Sequence, residues 1–329
     1  MAAELKLIQA VELKFALTST DASLERVASI YLCPLLLKLA TPYQSNRKKV
    51  EEVLAMLDNR IRGNASVKLP FEPLLAQYKD PTVSEVVKTR TIQYLCSALG
   101  DRSCSSALLQ QLVNGFAKYP VMQKPIVFYM IGSMLATFPS PESTQEEKAI
   151  CLAYQISREE DATSLAKCLI DLMFLNPAQL NPQRAANRNA VQSVPTPLLQ
   201  GEIEFLTPLG SSTYTATSLT AVKLGILRFA SISILKDAFR FEIGLVASFD
   251  LKHDLQMQAN TVMRRCNPAT SEQIYVDELF NLLLNRSLEA RFAIRVYQLL
   301  SKSTLATREA DKAQRCITQG VEYPILSTC

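Results

Sequence analysis

The pattern that most constrains the fold of this chain is a helix, a proline turn and a second helix, close to its start. Apolar residues first recur at intervals of three and four, which places them on one helix face: Val27, Ile30, Tyr31, Leu35 and Leu39. Thr41-Pro42 then interrupts the pattern, because proline lacks the N–H that a helix interior needs and restricts the residue before it. The sequence therefore predicts a helix that ends in a turn at Pro42.

A second helix is predicted directly after this turn. Ser45 is a candidate N-cap, since its hydroxyl can accept a hydrogen bond from the first turn of a helix. One face of the predicted helix is apolar and is formed by Val50, Val53, Leu54, Leu57 and Ile61. Gly63-Asn64 is typical of a helix stop, so the helix is expected to end there.

The same arrangement then repeats. Apolar residues between Phe71 and Tyr78 are followed by a turn at Asp80-Pro81 and by another helical pattern. Pro42 and Pro81 lie 39 residues apart, at the edge of the roughly 40 to 47 residues expected for HEAT or armadillo units. The predicted fold is all-α: a HEAT-like α-solenoid, that is, an armadillo-type superhelix of stacked antiparallel helix pairs.

The same patterns divide the chain into four parts. Residues 1–175 are predicted to form N-terminal HEAT-like repeats, and residues 219–302 to form further repeats. Residues 176–218 are rich in Pro, Asn, Ser and Thr, which cannot supply a core face, so an exposed insertion that proteases cut first is predicted. Residues 303–329 lose the apolar period, which predicts an irregular tail and a truncated array without a polar cap.

Composition and charge argue against several classes of protein. Only 9 Gly and no Trp accompany 48% hydrophobic residues, which argues against an all-β fold. The 35 Lys and Arg residues exceed the 31 Asp and Glu residues only slightly and are interspersed, so nucleic-acid binding is not predicted. The longest apolar stretch, residues 126–138, is shorter than the roughly 20 residues of a transmembrane helix.

Eight cysteines without a CxxC pair favour a reducing compartment inside the cell. The expected location is the cytoplasm, with the nucleus as a second location.

No constellation of catalytic, metal or cofactor-binding residues is predicted. A cysteine nucleophile needs a nearby imidazole, and the one histidine, His253, lies in a turn that is predicted to be solvated. No glycine precedes a lysine, so the phosphate-binding loop pattern is absent. Glu146-Glu147 and Glu159-Glu160-Asp161 are adjacent in the chain, point in different directions on a helix and are predicted to be helix-start or surface charges. The chain is therefore expected not to be an enzyme.

Four residues match positions that shape HEAT units. Pro42 and Pro81 correspond to turn prolines, Asp80 precedes the second of them, and Arg47 matches the arginine position of the second helix. Residues at these positions bend a repeat and tie it to its neighbours, so a structural role is predicted for all four.

Three consecutive basic residues are the candidate partner contact. Arg47, Lys48 and Lys49 lie on the second predicted helix and can face an acidic protein surface. The solvated face that any helix of a solenoid needs explains the same three residues without a partner. Both interpretations remain open at this point.

Two adjoining stretches resemble one family. The first is Tyr31-Leu-Cys-Pro-Leu-Leu-Leu-Lys-Leu-Ala followed by Asn46-Arg-Lys-Lys-Val-Glu-Glu-Val-Leu, and the second is Val67-Lys-Leu-Pro-Phe-Glu-Pro-Leu-Leu-Ala-Gln-Tyr-Lys-Asp-Pro. In order and spacing they resemble the start of the HEAT-repeat proteasome adaptor family called extracellular mutant twenty-nine. Lys223-Leu-Gly-Ile-Leu-Arg-Phe and Leu245-Val-Ala-Ser-Phe-Asp are similar to later units of the same family.

This resemblance implies a scaffold that binds the 26S proteasome and helps to hold or survey its core and regulatory particles. The implied partners are subunits of those particles, and no cofactor is implied. Members of the family are longer than this chain, so the resemblance implies a fragment or a short form. Fold alone leaves an alternative, another HEAT-repeat scaffold of the transport-receptor or phosphatase type.

Overall fold

The computed structural model of the chain describes residues 2–62, 67–99, 105–176, 197–210, 213–266, 273–286 and 288–303, with seven more between 305 and 315. Within these ranges the chain forms fifteen α-helices and two 3-10 helices and has no β-strand, which confirms the predicted all-α fold. The 3-10 helices are η1 (Lys38–Ala40) and η2 (Phe116–Lys118). The α-helices are α1 (Ala2–Ala16), α2 (Asp21–Leu37), α3 (Gln44–Arg62), α4 (Phe71–Lys79), α5 (Glu85–Leu99), α6 (Ser106–Val113), α7 (Lys124–Leu135), α8 (Thr144–Ala153), α9 (Glu159–Phe174), α10 (Gln200–Leu206), α11 (Ala216–Ser231), α12 (Asp237–Ala247), α13 (His253–Arg265), α14 (Gln273–Asn285) and α15 (Ala290–Leu300).

The first predicted helix, turn and helix are present as α2, the Pro42 turn and α3. α2 begins after Thr20, whose hydroxyl accepts a hydrogen bond of 3.2 Å from the Ser23 N–H and so caps the helix. α3 begins at Gln44, so the predicted cap Ser45 lies inside the helix. Most of the predicted apolar face of α3 is fully buried: Val50, Val53, Leu54 and Leu57.

α1 lies where the sequence pattern predicts no separate helix. Its buried side is formed by Ile8 and Phe15. Three leucines, Leu7, Leu13 and Leu17, are exposed instead. Apolar residues therefore occur on several sides of α1, and this obscures the single apolar stripe from which an amphipathic helix is recognised.

The proline turns keep a constant spacing. Pro42, Pro81 and Pro120 follow one another at intervals of 39 residues and lie in the turns before α3, α5 and α7. A proline is tolerated in such a turn, because its fixed φ suits turn conformations and its missing N–H removes no helical hydrogen bond there. The turns thus separate the two helices of three successive pairs that recur at a constant spacing.

The chain divides into two compact units. The first comprises Met1–Arg102 and Pro120–Met130, and the second comprises Ser103–Tyr119 and Ile131–Cys329. The first core contains fully buried large side chains from several helices, among them Phe15, Leu32, Leu54 and Ile92. In the second core the Phe138 ring meets the Phe229 ring edge-on at 5.3 Å, and both rings are buried.

Within each unit, side-chain hydrogen bonds join residues about one repeat apart. In the first unit these bonds include Asn46 to Glu4 at 2.8 Å, Arg60 to Phe15 at 2.6 Å, Tyr94 to Leu54 at 3.3 Å and Tyr78 to Gln123 at 3.1 Å, with separations of 40 to 45 residues. In the second unit the Asp161 carboxylate accepts bonds of 2.8 Å from the backbone N–H groups of Gly115 and Ala117. Contacts at this separation are those that neighbouring units of a stacked helical array make.

The predicted boundaries at 175, 218 and 302 stay a prediction. Residues 177–196, the centre of the predicted insertion, lie outside the described residues, as does most of the predicted tail. The described part of 176–218 contains α10 and the buried side chains of Leu198, Leu206 and Tyr214. Among the described residues, no helix has the length and apolar character needed to cross a membrane.

Candidate functional site

The four predicted turn residues lie at or near the ends of α3, α4 and α5. Pro42 and Pro81 are exposed in their turns. The Asp80 carboxylate accepts hydrogen bonds from the Thr82 hydroxyl at 2.7 Å and the Thr82 N–H at 2.8 Å, and these bonds lower the pKa of Asp80. Arg47, in the first turn of α3, is exposed and has no ion pair within the described ranges. Its role in tying repeats together stays a prediction.

The three consecutive basic residues of α3 differ in what they contact. The Lys49 ammonium lies 2.8 Å from a carboxylate oxygen of Glu12 and 3.3 Å from one of Glu52. The hydrogen bond to Glu12 is the main cause of the raised pKa of Lys49. Lys49 therefore joins α3 to α1, and its charge is used within the chain.

Arg47 and Lys48 are available to a partner. Both side chains are exposed, and Lys48, like Arg47, makes no ion pair in the part of the chain that the structure describes. They line an open surface depression of about 730 Å³ together with Gln44, Ser45 and Glu51. Two cations and one carboxylate give this depression a net positive charge, so it is suited to a carboxylate-bearing protein surface.

The second unit contains a network of partly buried charges around Arg286. The Arg286 guanidinium donates hydrogen bonds to the carboxylates of Asp171 and Glu202, the latter at 3.2 Å, and to the Pro197 carbonyl at 3.2 Å. The same guanidinium lies 5.2 Å from the centre of the Phe174 ring. One cation thus connects residues that belong to α9, to α10 and to the segment before α10.

Glu242 on α12 is the most deeply buried member of this network, with 4% of its surface exposed. Its Oε2 atom has no hydrogen-bond partner among the described residues. Burial, followed by repulsion from Glu278, raises the pKa of Glu242 well above 4.5, whereas Arg286 acts in the opposite direction. Burial likewise raises the pKa of Asp171 to about 6. The described residues hold no group of three or more His, Cys, Asp or Glu side chains arranged for a metal ion.

We expect Glu242→Gln to raise the melting temperature by a few degrees at neutral pH. The folded pKa of Glu242 lies above its unfolded value of 4.5, so the unfolded chain loses this proton first as the pH rises. The free energy of unfolding therefore falls as the pH rises above 4.5, and the amide removes this loss.

Thermal unfolding followed by circular dichroism measures the effect of Glu242→Gln. The difference between variant and wild type should shrink as the pH is lowered toward 4.5. Glu51→Gln, at an exposed position in the interior of α3, is the matched control and should leave the melting temperature unchanged at every pH. A Glu242→Gln variant that is less stable than wild type at neutral pH would contradict the expected buried, protonated carboxyl.

The described cysteines are not arranged as nucleophiles beside His253. Burial raises the thiol pKa to about 11 at Cys33, to about 12 at Cys96 and to about 11 at Cys266. His253 is exposed at the start of α13, and no hydrogen bond joins it to a cysteine in the described ranges. These three thiols therefore stay protonated at neutral pH and are poor nucleophiles.

Sequence reasoning did not identify the buried charges. Asp161 lies at the start of α9, as predicted, but it is buried and holds η2 through two backbone N–H groups. A signal was present for Glu242, because α12 is apolar on nearly all sides between Ala238 and Ala247. A helix that is apolar all round is enclosed by protein, and any charged residue in its middle must then be buried too.

Comparisons with known proteins identify one family model and several relatives that match this sequence. The sequence model described as "Proteasome component ECM29, N-terminal" matches residues 8–326. The Schizosaccharomyces pombe "Proteasome component ecm29" is 34% identical over 144 residues, which are 43% of this chain and 8% of that protein. The Homo sapiens "Proteasome adapter and scaffold protein ECM29" is 24% identical over 299 residues, which are 83% of this chain and 16% of that protein.

A further relative, the Drosophila melanogaster "Proteasome-associated protein ECM29 homolog", is 26% identical over 283 residues, which are 83% of this chain and 14% of that protein. The chain thus spans between 8% and 16% of the length of these relatives. No solved structure is significantly similar to it. Since the family model covers nearly the whole sequence, the chain belongs to the family of the proteasome component ECM29, in its N-terminal part.

Proposed function

We propose that this chain is a non-catalytic, protein-binding segment of a proteasome adaptor. In this proposal it binds the 26S proteasome in the cytoplasm and the nucleus and helps to hold or survey its core and regulatory particles. The observation that carries the proposal is the family match over residues 8–326. The printed names of the relatives, which describe proteasome components, adapters and scaffolds, support it.

The geometry supports a binding role because the charged groups fall into two kinds. Charges that are buried, such as Asp161, or half-buried, such as Arg286, are used to connect helices within the chain. Exposed charges such as Arg47 and Lys48 are left for partners. Stacked helix pairs present side chains of this second kind along a rigid surface, and such surfaces serve protein recognition. The transport-receptor and phosphatase-scaffold alternative shares the fold but has no support from the relatives' names.

Charge reversal of the surface depression tests the proposal in cells. We expect Arg47→Glu/Lys48→Glu to lower the recovery of proteasome subunits with the tagged chain by about tenfold, because like charges then face the acidic partner. Both residues are exposed, so the fold should be unaffected. Affinity purification followed by quantitative mass spectrometry of the recovered proteins measures the change.

The matched control reverses two exposed charges elsewhere. Arg264→Glu/Arg291→Glu makes the same change in net charge on α13 and α15 of the second unit and should leave recovery as in wild type. Equal loss in both double variants would mean that net charge, and not the depression, governs recovery. Recovery of chaperones alone by the folded wild-type chain would contradict the proposed function.

A further inference from the structure

The outward faces of α1 and α2 are apolar. Leu7, Leu13, Leu17, Ile30 and Leu37 are between 46% and 74% exposed. A large exposed apolar surface on a folded chain marks an interaction site more often than a single exposed leucine does. All five residues belong to the first compact unit.

The helical period places most of these side chains opposite the core. Ile8 and Phe15 are buried in the core of the first unit, and Leu13, together with Leu17 directly after the end of α1, falls on the opposite side. On α2, Ile30 and Leu37 lie two turns apart and opposite the buried face that includes Ala28. Leu13 and Leu17 thus form one exposed stripe and Ile30 and Leu37 a second, and Leu7 lies roughly 120° around α1 from Leu13.

Lys14 joins the two helices beside these stripes. Its ammonium donates a hydrogen bond of 2.6 Å to the Tyr31 hydroxyl and lies 4.7 Å from the centre of the Tyr31 ring. This contact holds α1 against α2, and its two residues are the sequence neighbours of Leu13 on the first stripe and of Ile30 on the second. We call this surface, formed by the five apolar residues named above, the α1–α2 face.

The acidic side chains of these two helices are used within the chain. Glu4 pairs with Lys38 at 2.9 Å and accepts a bond from Asn46, Glu12 pairs with Lys49, and Glu25 accepts a bond of 2.7 Å from the Lys68 N–H. The fourth acid, Asp21, lies at the start of α2, where a carboxylate stabilises the helix end.

The basic side chains of the same helices are turned to solvent. Lys6, Lys14 and Arg26 are exposed and make no ion pair within the described ranges. The α1–α2 face therefore combines apolar residues with an uncompensated positive charge. Its complement is a surface with apolar residues flanked by carboxylates.

We propose that the α1–α2 face binds an acidic amphipathic helix of a partner protein. Leucine-sized side chains of that helix pack on the two stripes, and its flanking carboxylates pair with Lys6, Lys14 and Arg26. A second copy of this chain fits poorly, because a two-fold contact would bring the same three cations against one another. This inference goes beyond the proposed function, since it does not require the partner to be a proteasome subunit.

A pair of synthetic peptides tests the inference on the whole chain. Each is a fluorescent helix-forming peptide of about 18 residues, five helical turns, with leucines on one face. The flanking positions are glutamate in one peptide and lysine in the other. We expect the glutamate peptide to bind at least about tenfold more tightly in fluorescence anisotropy, with an affinity that falls as salt is raised.

Variants locate the binding site. Lys6→Glu/Arg26→Glu should weaken the glutamate peptide about tenfold, and Leu13→Ser/Ile30→Ser should weaken both peptides. All four residues are exposed, and circular dichroism verifies that the helical fold is kept. Arg264→Glu/Arg291→Glu, in the second unit and outside the α1–α2 face, makes the same kind of charge reversal; it is the control and should bind as wild type.

Three outcomes would overturn the inference. They are equal affinity for the two peptides, absence of saturable binding of the glutamate peptide, and unchanged binding by Lys6→Glu/Arg26→Glu.

Binding of the chain to vesicles of phosphatidylserine and phosphatidylcholine in place of the peptide would assign the face to a membrane. Self-association that is lost in Leu13→Ser/Ile30→Ser would assign it to a second copy. Because no proteasome component is present, failure of this test leaves the proposed function untouched.

Discussion

Replacing Gly225 with alanine is expected to lower the free energy of unfolding by about 3 kcal/mol, the upper end of the cost of overpacking a core. An ideal Cβ at this position would lie 1.7 Å from the Leu135 carbonyl oxygen and 2.4 Å from its carbon. These atoms are backbone, so no side-chain rotation can relieve the contact. α11 and the end of α7 would have to separate, which opens the core of the second unit around the buried Phe138 and Phe229.

Gly132→Ala is the matched control for Gly225→Ala. Gly132 lies in α7 of the same unit, but a Cβ there would be 3.4 Å from the Tyr214 hydroxyl and 3.5 Å from Val222. These are ordinary van der Waals distances, so Gly132→Ala should change the free energy of unfolding by no more than about 1 kcal/mol. Urea denaturation of both variants measures the difference. Equal stability of Gly225→Ala and Gly132→Ala would contradict the close approach of α11 to Leu135.

Replacing Arg286 with methionine is expected to lower the free energy of unfolding by about 3–5 kcal/mol at neutral pH. The variant leaves the carboxylates of Asp171 and Glu202 without the cation that holds them. It also leaves uncompensated negative charge close to Glu242, whose carboxyl group is already favoured in its neutral form by burial. The deficit should shrink as the pH falls from neutral toward about 6, the pKa of Asp171 in the wild type, because removing Arg286 raises that pKa further and protonation in the variant then removes the buried charge.

Two further variants make the Arg286 experiment specific. Adding Asp171→Asn to Arg286→Met should recover part of the lost stability, since it removes one of the unpaired charges. Lys236→Met breaks an exposed ion pair with Glu159 and should cost about 1 kcal/mol or less. If Arg286→Met costs no more than Lys236→Met, Arg286 does not stabilise the second unit in the manner described.

The helices that the sequence predicted are those whose signals are local. α3 has its apolar residues on one face and follows a proline turn, and both features are contained in about twenty neighbouring positions. α5 is recognised for the same reason. α1 was missed because Leu7, Leu13 and Leu17 are exposed, so that burial does not follow hydrophobicity there. No local rule identifies which leucines of a helix face solvent.

The candidate site could be predicted only in part, because charge pairing depends on tertiary contacts. Arg47, Lys48 and Lys49 are equivalent as a sequence cluster. The packing of α1 against α3 brings Glu12 to Lys49, which is 37 positions away in the sequence. This contact alone gives Lys49 a role different from that of Arg47 and Lys48. The Arg286 contact with Asp171 spans 115 positions and is equally invisible to local reasoning.

Direct binding of the purified chain to purified 26S proteasomes is the measurement that tests the central claim. Native gel electrophoresis of the labelled chain with an excess of proteasomes separates free from bound chain. We predict that the wild-type chain migrates with the proteasome, that Arg47→Glu/Lys48→Glu migrates mostly free, and that Arg264→Glu/Arg291→Glu behaves as wild type. A wild-type chain that remains free at every proteasome concentration, while circular dichroism shows its helices intact, would contradict the proposal that this segment binds the proteasome.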